Sequence, residues 1–266
     1  MAHALIFDSG VGGLSVSREI RDLLPALRQS YVADDIFRPY GEKTPAQLQA
    51  RLPELLATLE LMLSPDVIVI ACNTASTTAL DAIRAAVRAP VIGVVPAIKP
   101  AAQMTRTGTI AVLGTPGTVK RRYVDGLIRD HASDCHVILQ GSVNLVDIAE
   151  AKLAGGAVDL ARIKAELAPL FSGKHGADID AVVLACTHFP LLKDELKASL
   201  TQSVRWIDSG AAIARRVKSV LDDKAVDIAK GFNSADNAFL IGPDTGAARA
   251  ATFQDFGFAR VIGLLS

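Results

Sequence analysis

The chain reads as an α/β protein made of two similar domains, each a mostly parallel sheet flanked by helices. Three observations predict this. Apolar, β-branched runs alternate with amphipathic stretches along most of the 266 residues, which is the pattern of successive β-α-β units. Two of those runs are imperfect copies of each other: Val67-Ile68-Val69-Ile70-Ala71-Cys72-Asn73-Thr74 and Ala181-Val182-Val183-Leu184-Ala185-Cys186-Thr187-His188. A glycine-rich turn precedes each copy, Ile6-Phe7-Asp8-Ser9-Gly10-Val11-Gly12-Gly13 before the first and Val112-Leu113-Gly114-Thr115-Pro116-Gly117-Thr118 before the second.

In chain order, strands are predicted at residues 4–7, 67–71, 91–95, 109–113, 136–139, 181–185, 204–207 and 238–241. Amphipathic helices are predicted at 53–63, 76–87, 119–129, 160–170 and 211–221. Residues 90–99, rich in Pro and Gly, form the expected crossing between the halves. Trp206-Ile207-Asp208-Ser209-Gly210 echoes the first turn and marks the return. The expected domains are therefore 1–97 plus 208–266, interrupted by 98–207.

Composition narrows the function. Half the residues are hydrophobic and 21% are charged, enough for a substantial core. Lys+Arg and Asp+Glu both number 28, so the chain lacks the footprint of a nucleic-acid binder and no such partner is expected. Lys120-Arg121-Arg122 reads as a solvated helix surface. No apolar stretch is long enough to cross a bilayer, so no membrane partner is expected. The N-terminus runs straight into a strand pattern without the features of a signal peptide. Three cysteines without paired metal-type spacing predict neither a disulfide framework nor a metal site. Unpaired by disulfides, they fit a reducing cytoplasm. The pattern leaves the oligomeric state open, and a homodimer is compatible with it.

The chemistry is read from the strand ends. A run buried on both faces fits a parallel-sheet strand, and ligands of such sheets bind beyond the carboxyl ends of the strands. Cys72 and Cys186 then sit where ligands do. Either one alone is better explained as a small buried hydrophobe; the matched pair suggests chemistry with two faces and one base per face, as a racemase needs. Cys135, in Ser133-Asp134-Cys135-His136, has no such context and reads as structural.

Asp8-Ser9-Gly10-Val11-Gly12-Gly13 can present backbone N–H groups to an anion. The plain alternative is a tight turn capped by Asp8 or Ser9, and the spacing is not that of a dinucleotide site. His188 can orient a substrate or act on the Cys186 thiol, or it can be a capping group. Arg38-Pro39-Tyr40-Gly41-Glu42-Lys43 reads as a turn whose backbone donors and Tyr40 hydroxyl can contact a small acid. Glu150 reads as a helix-surface carboxylate unless the fold brings it inward.

At four places in order, residues 7–13, 39–43, 71–74 and 185–190, the chain resembles the glutamate racemases of the cofactor-independent aspartate/glutamate racemase superfamily. The resemblance implies two pseudo-symmetric α/β domains with the active site between them. It implies that Cys72 deprotonates D-glutamate and Cys186 the L-enantiomer, with Asp8 assisting Cys72, and His188, with Glu150, assisting Cys186. Asp8, Ser9, Tyr40, Gly41, Asn73, Thr74, Thr187 and His188 would hold the substrate's amino and carboxylate groups. No cofactor and no metal is implied, and the product would be D-glutamate for cell-wall peptidoglycan. Two stretches depart from the family pattern: Asp35-Ile36-Phe37-Arg38, and Gly242-Pro243-Asp244-Thr245-Gly246. Rival readings are a sister racemase acting on aspartate or a hydantoin, a non-catalytic small-acid-binding protein, and a cysteine hydrolase using Cys186 and His188. Sister racemases tend to carry Glu after the second Cys-Thr, where this chain has His188; the hydrolase leaves Cys72 unexplained.

Overall fold

The computed structural model describes residues 2–226, 235–242 and 246–264. The chain divides into two compact units, Met1–Val94 with Gly210–Ser266, and Val95–Ser209. In chain order the strands are β1 (His3–Asp8), β2 (Arg28–Ala33), β3 (Val67–Ile70), β4 (Val91–Gly93), β5 (Thr109–Gly114), β6 (His136–Gly141), β7 (Ala181–Ala185), β8 (Arg205–Ile207), β9 (Asn237–Ile241) and β10 (Arg260–Leu264). The helices up to the second unit are α1 (Leu14–Leu23), α2 (Pro45–Leu63) and α3 (Asn73–Ala86). Then follow α4 (Ile98–Met104), α5 (Pro116–Val119), α6 (Arg122–His131), α7 (Asn144–Leu153), α8 (Leu160–Phe171) and α9 (Lys193–Ala198). The last two are α10 (Gly210–Asp223) and α11 (Ala247–Asp255).

The first sheet runs β10-β9-β2-β1-β3-β4 and the second β6-β5-β7-β8. All paired strands are parallel. Without β9 and β10, the two orders are the same: second, first, third, fourth. The registers also agree. Phe7 pairs with Ile70, so Asp8 stands beside Ala71; Gly114 pairs with Ala185. Asp8 and Gly114 are thus equivalent positions, and so are Cys72 and Cys186. In each sheet the strand order reverses between the first and third strands, the point where open α/β sheets leave a crevice at their carboxyl ends.

Burial explains why the strands are continuous apolar runs. In the second unit, Ala111, Leu113, Val182 and Leu184 pack with residues of α7 and α8 on one face. Their alternating neighbours Ile110, Val112, Ala181 and Val183 pack with residues of α4 and α6 on the other. Each fully buried Leu or Ile contributes roughly 1.5–3 kcal/mol.

Each strand expected from the sequence pattern has a counterpart, with ends shifted by a few residues. The strands β2 and β10 add to them. The polar residues of β2 hid it: Gln29 and Ser30 are buried but satisfied internally. Ser17 Oγ donates to Gln29 Oε1 at 2.6 Å, and Ser30 Oγ lies 2.9 Å from His3 Nε2. The helix expected from residue 53 starts earlier, at Pro45, where Thr44 and Gln47 cap each other and Pro45 opens the first turn. The helix expected at 119–129 is broken. Lys120 and Arg121 lie between α5 and α6, and Arg121 Nε donates to the Gly117 carbonyl at 2.8 Å, satisfying an acceptor that α5 leaves open. Of the segment 242–246, residues 243–245 lie outside the described residues.

Candidate active site

The first unit builds its candidate site beyond β1 and β3. Cys72, one residue beyond β3 after Ala71, is the N-cap residue of α3, 6% exposed. The Ala71 amide donates to the Phe7 carbonyl at 2.7 Å, fixing the end of β3 against β1. Ser9 Oγ stands 3.8 Å from Cys72 Sγ, within hydrogen-bonding distance of sulfur. Asp8, fully buried at the end of β1, receives the amides of Gly10 at 3.2 Å and Gly13 at 3.0 Å on one carboxylate oxygen. Its carboxylate thus shapes the turn into α1. The Tyr31 hydroxyl donates to the Gly10 carbonyl at 2.9 Å and lies 3.4 Å from Asp8. Gly13 is glycine for space: a Cβ there would stand 2.8 Å from the Tyr31 oxygen and 2.9 Å from Ala71 Cβ.

Asn73 and Thr74 begin α3 and are buried. Asn73 Nδ2 donates to the Val94 carbonyl at 3.5 Å. Tyr40 and Gly41 lie in the 3₁₀ turn Tyr40–Glu42, after the cis Arg38-Pro39 bond. The Tyr40 hydroxyl donates to Asp34 Oδ2 at 2.6 Å. Burial and the Asp34 carboxylate push its pKa well above the usual phenol value. With that proton committed to Asp34, the turn's backbone is what remains to meet a small acid. Arg51 of α2 clamps Asp34 with two hydrogen bonds of 2.7 Å. Asp34, Arg51 and Tyr31 were not among the sequence candidates. Only the position of Asp34, four residues before the Arg38-Pro39-Tyr40 turn, hinted at it.

The second unit builds its candidate site beyond β7. Cys186, 7% exposed, is followed by Thr187 and His188 and the 3₁₀ turn Phe189–Leu192. That turn is stitched back by the Phe189 amide to the Cys186 carbonyl and the Leu191 amide to the His188 carbonyl, both 3.1 Å. Cys186 Sγ lies 3.8 Å from His188 Nδ1, and His188 Nε2 lies 3.1 Å from Glu150 Oε1. The fold therefore does bring Glu150 inward, from α7. Burial acts to lower the His188 pKa, but hydrogen bonds and charge from Cys186 and Glu150 outweigh it and hold it at about 10. At neutral pH the ring is an imidazolium, hydrogen-bonded between Cys186 and Glu150.

Cys135 lies elsewhere in the second unit, half-buried against the packed face that includes Val124 and Ala132. Among the described residues no group of three or more His, Cys, Asp or Glu side chains is assembled as a metal site, and no helix is long and apolar enough to cross a membrane.

Two thiols thus stand at register-equivalent strand ends, one against a serine and one against a His–Glu pair. Residues 12–217 match the model of the Asp/Glu/Hydantoin racemase family, and the chain belongs to that family. Within it, the chain is 45% identical over 260 residues to a glutamate racemase of Shewanella sp. (strain ANA-3), covering 96% of this chain and 94% of that one. It is 45% identical over 255 residues to the glutamate racemase of Brucella canis, covering 95% and 91%. The fold superposes on the crystal structure of Escherichia coli glutamate racemase in complex with L-glutamate and the activator UDP-MurNAc-ala. The TM-score is 0.91 at 43% identity, covering 99% of this chain and 98% of that one.

Proposed function

We propose that the protein interconverts L- and D-glutamate by two-base proton transfer at the α-carbon, without a cofactor. The carrying observation is the pair of thiols at equivalent positions after equivalent strands, Cys72 after β3 and Cys186 after β7. In the L-to-D direction the Cys186 thiolate takes the α-proton: the C–H bond breaks and an S–H bond forms. The Cys72 thiol then gives its proton to the opposite face of the same carbon and becomes the thiolate. The D-to-L direction runs the same steps backwards. This requires the thiols to address opposite faces of one substrate.

The neighbours serve the sulfur charges. His188, held protonated by Glu150 and Cys186, favours negative charge on Cys186. The N-terminus of α3 and the Ser9 hydroxyl favour it on Cys72. Backbone and side-chain donors from Ser9, Asn73, Thr74, Thr187 and the Tyr40-Gly41 turn hold the carboxylates and stabilise charge that builds as the proton leaves. Asp8 holds its turn and receives the amino group. Glutamate is favoured over aspartate by the 45% identity to proteins named glutamate racemase, and by His188 in place of the Glu that sister racemases tend to carry. The setting this reading implies is the bacterial cytoplasm, supplying D-glutamate for peptidoglycan.

The test is chiral chromatography of L-glutamate, and separately of L-aspartate, incubated with purified protein. The proposal expects approach to a racemic mixture of glutamate, with aspartate turned over far more slowly. A site that leaves polar groups unmatched by the shorter acid discriminates strongly. Equal rates, or a preference for aspartate, would move the chain to a sister activity; binding without turnover would leave a small-acid-binding protein.

A further inference from the structure

Glu150 reaches His188 from a separate element, so something must hold α7 against the turn that follows Cys186. Two residues beyond Glu150, in the last turn of the same helix, Lys152 crosses that gap. Its Nζ donates to the Leu191 carbonyl at 2.8 Å and pairs with Glu195 Oε1 of α9 at 2.6 Å. Leu191 is the residue whose own amide donates to the His188 carbonyl. A continuous chain of hydrogen bonds therefore runs from α7 through Lys152 and Leu191 to the backbone of His188, and from the imidazole back through Glu150 to α7.

We propose that Lys152 is a positioning residue for this reaction: by tying α7 to the Phe189–Leu192 turn, it holds Glu150 at hydrogen-bonding distance from His188 and so keeps the imidazole in place against Cys186. The role rests on the proton-transfer reading above. The ammonium is engaged by Leu191 and Glu195 and not by a thiol; it acts through the elements it joins. Lysine suits the task. Its long apolar stem lies along the surface while the ammonium reaches a carbonyl at the end of one element and a carboxylate on another. Its charge also suits the C-terminal turn of α7. The titratable groups facing His188 are Cys186 on its own turn and Glu150 on α7. The Lys152–Glu195 pair stands behind them as a matched charge.

The experiment compares the unsubstituted protein with Lys152→Met, Lys152→Arg and, as a control, Lys197→Met. Among the described residues the Lys197 ammonium makes only an exposed 3.9 Å pair with Asp194. Two quantities are read: the pH titration of the His188 ring nitrogens by 15N NMR, and kcat and KM for glutamate. In Lys152→Met the His188 titration should move down by about one unit as Glu150 loosens. Its kcat should fall about tenfold, the scale of a small misplacement of a catalytic group, with KM little changed. Lys152→Arg keeps the charge and a donor and should restore both readouts in large part; Lys197→Met should move neither. If Lys152→Met does not fold, Lys152→Gln, one bond shorter and uncharged, gives the same comparison. An unmoved His188 titration in a folded, less active variant would overturn the proposal, as would full activity in Lys152→Met. The titration needs no turnover, so absence of racemase activity in the unsubstituted chain would count against the proposed reaction and leave the positioning role to be decided by the titration.

Discussion

The corners after β3 and β7 share one backbone plan and solve the same chemical problem with different parts. Strand order, register and the Ala-Cys ending coincide. Yet where β1 ends in a carboxylate, Asp8, the equivalent place at the end of β5 is Gly114. Where Thr74 follows in the first unit, His188 stands in the second, linked to an acid 38 residues away in sequence. The backbone diverges accordingly. Cys72 is the N-cap residue of the 14-residue helix α3, at the positive end of the helix dipole. Cys186 lies three residues before a 3₁₀ turn of four residues whose N-cap is His188, and in the proposed mechanism the imidazolium takes the place of a helix. A repeated fold supplies two equivalent positions for a base; the surroundings of each can then be set independently.

The enantiomers have equal free energies in water, so kcat/KM must be the same from either side in every variant. The comparison between the corners is therefore sharpened with isotope effects as well as rates. The largest effects should come from the sulfurs. Cys72→Ala and Cys186→Ala should each lower racemisation by about 10³-fold or more, while Cys135→Ala stays within about twofold; chiral chromatography on folded protein reads this. His188→Asn should cost about 10²-fold in kcat/KM. The α-deuterium isotope effect should grow with L-glutamate as substrate and shrink with the D-enantiomer. Glu150→Gln should follow the same pattern at about tenfold, the worth of a charged hydrogen bond. Ser9→Ala removes a neutral hydroxyl and should cost about fivefold, with the isotope effect growing on the D side instead. Matching isotope patterns from Ser9→Ala and His188→Asn would break the assignment of one corner to each enantiomer.

The smallest effects are on stability, and two histidines give them opposite signs. His188 is held up at about 10 against an ordinary 6.5. Its protonation stabilises the fold fully below pH 6.5, and that contribution is lost as pH rises through 10. His3, in the other unit, is pushed down to about 4 by burial and by Arg28. The folded state resists protonating it, so stability falls as pH drops from 6.5 towards 4. Melting temperatures across pH should show His188→Asn flattening the alkaline slope alone and His3→Gln the acid slope alone.

What could be read from the sequence was whatever depended on neighbours in the chain. The runs of β3 and β7 are apolar because every residue in them is buried, and their endings put Cys72, Cys186 and His188 at the strands' carboxyl ends in plain view. The strand β2 was hidden because Gln29 and Ser30 find partners only after Ser17 and His3 are folded beside them. The same holds within the site. Glu150 looked like surface until α7 packed against the turn after Cys186. Asp34 and Arg51, which hold Tyr40, are joined only through the placement of α2. Long-range polar pairs leave no periodic trace, and these are the pairs that orient the candidate groups.

The central claim, that two separate thiols work on opposite faces of one carbon, is tested most directly by proton exchange with solvent. L-Glutamate is incubated with the protein in heavy water and sampled early, before the reverse reaction matters; the enantiomers are separated and their α-positions assayed by NMR or mass spectrometry. The account predicts that the D-glutamate formed carries deuterium from the outset while the remaining L-glutamate is still unlabelled, and that the mirror experiment labels L-glutamate first. D-Glutamate formed with its original α-hydrogen would mean that one group both removes and returns the proton, and would contradict the account.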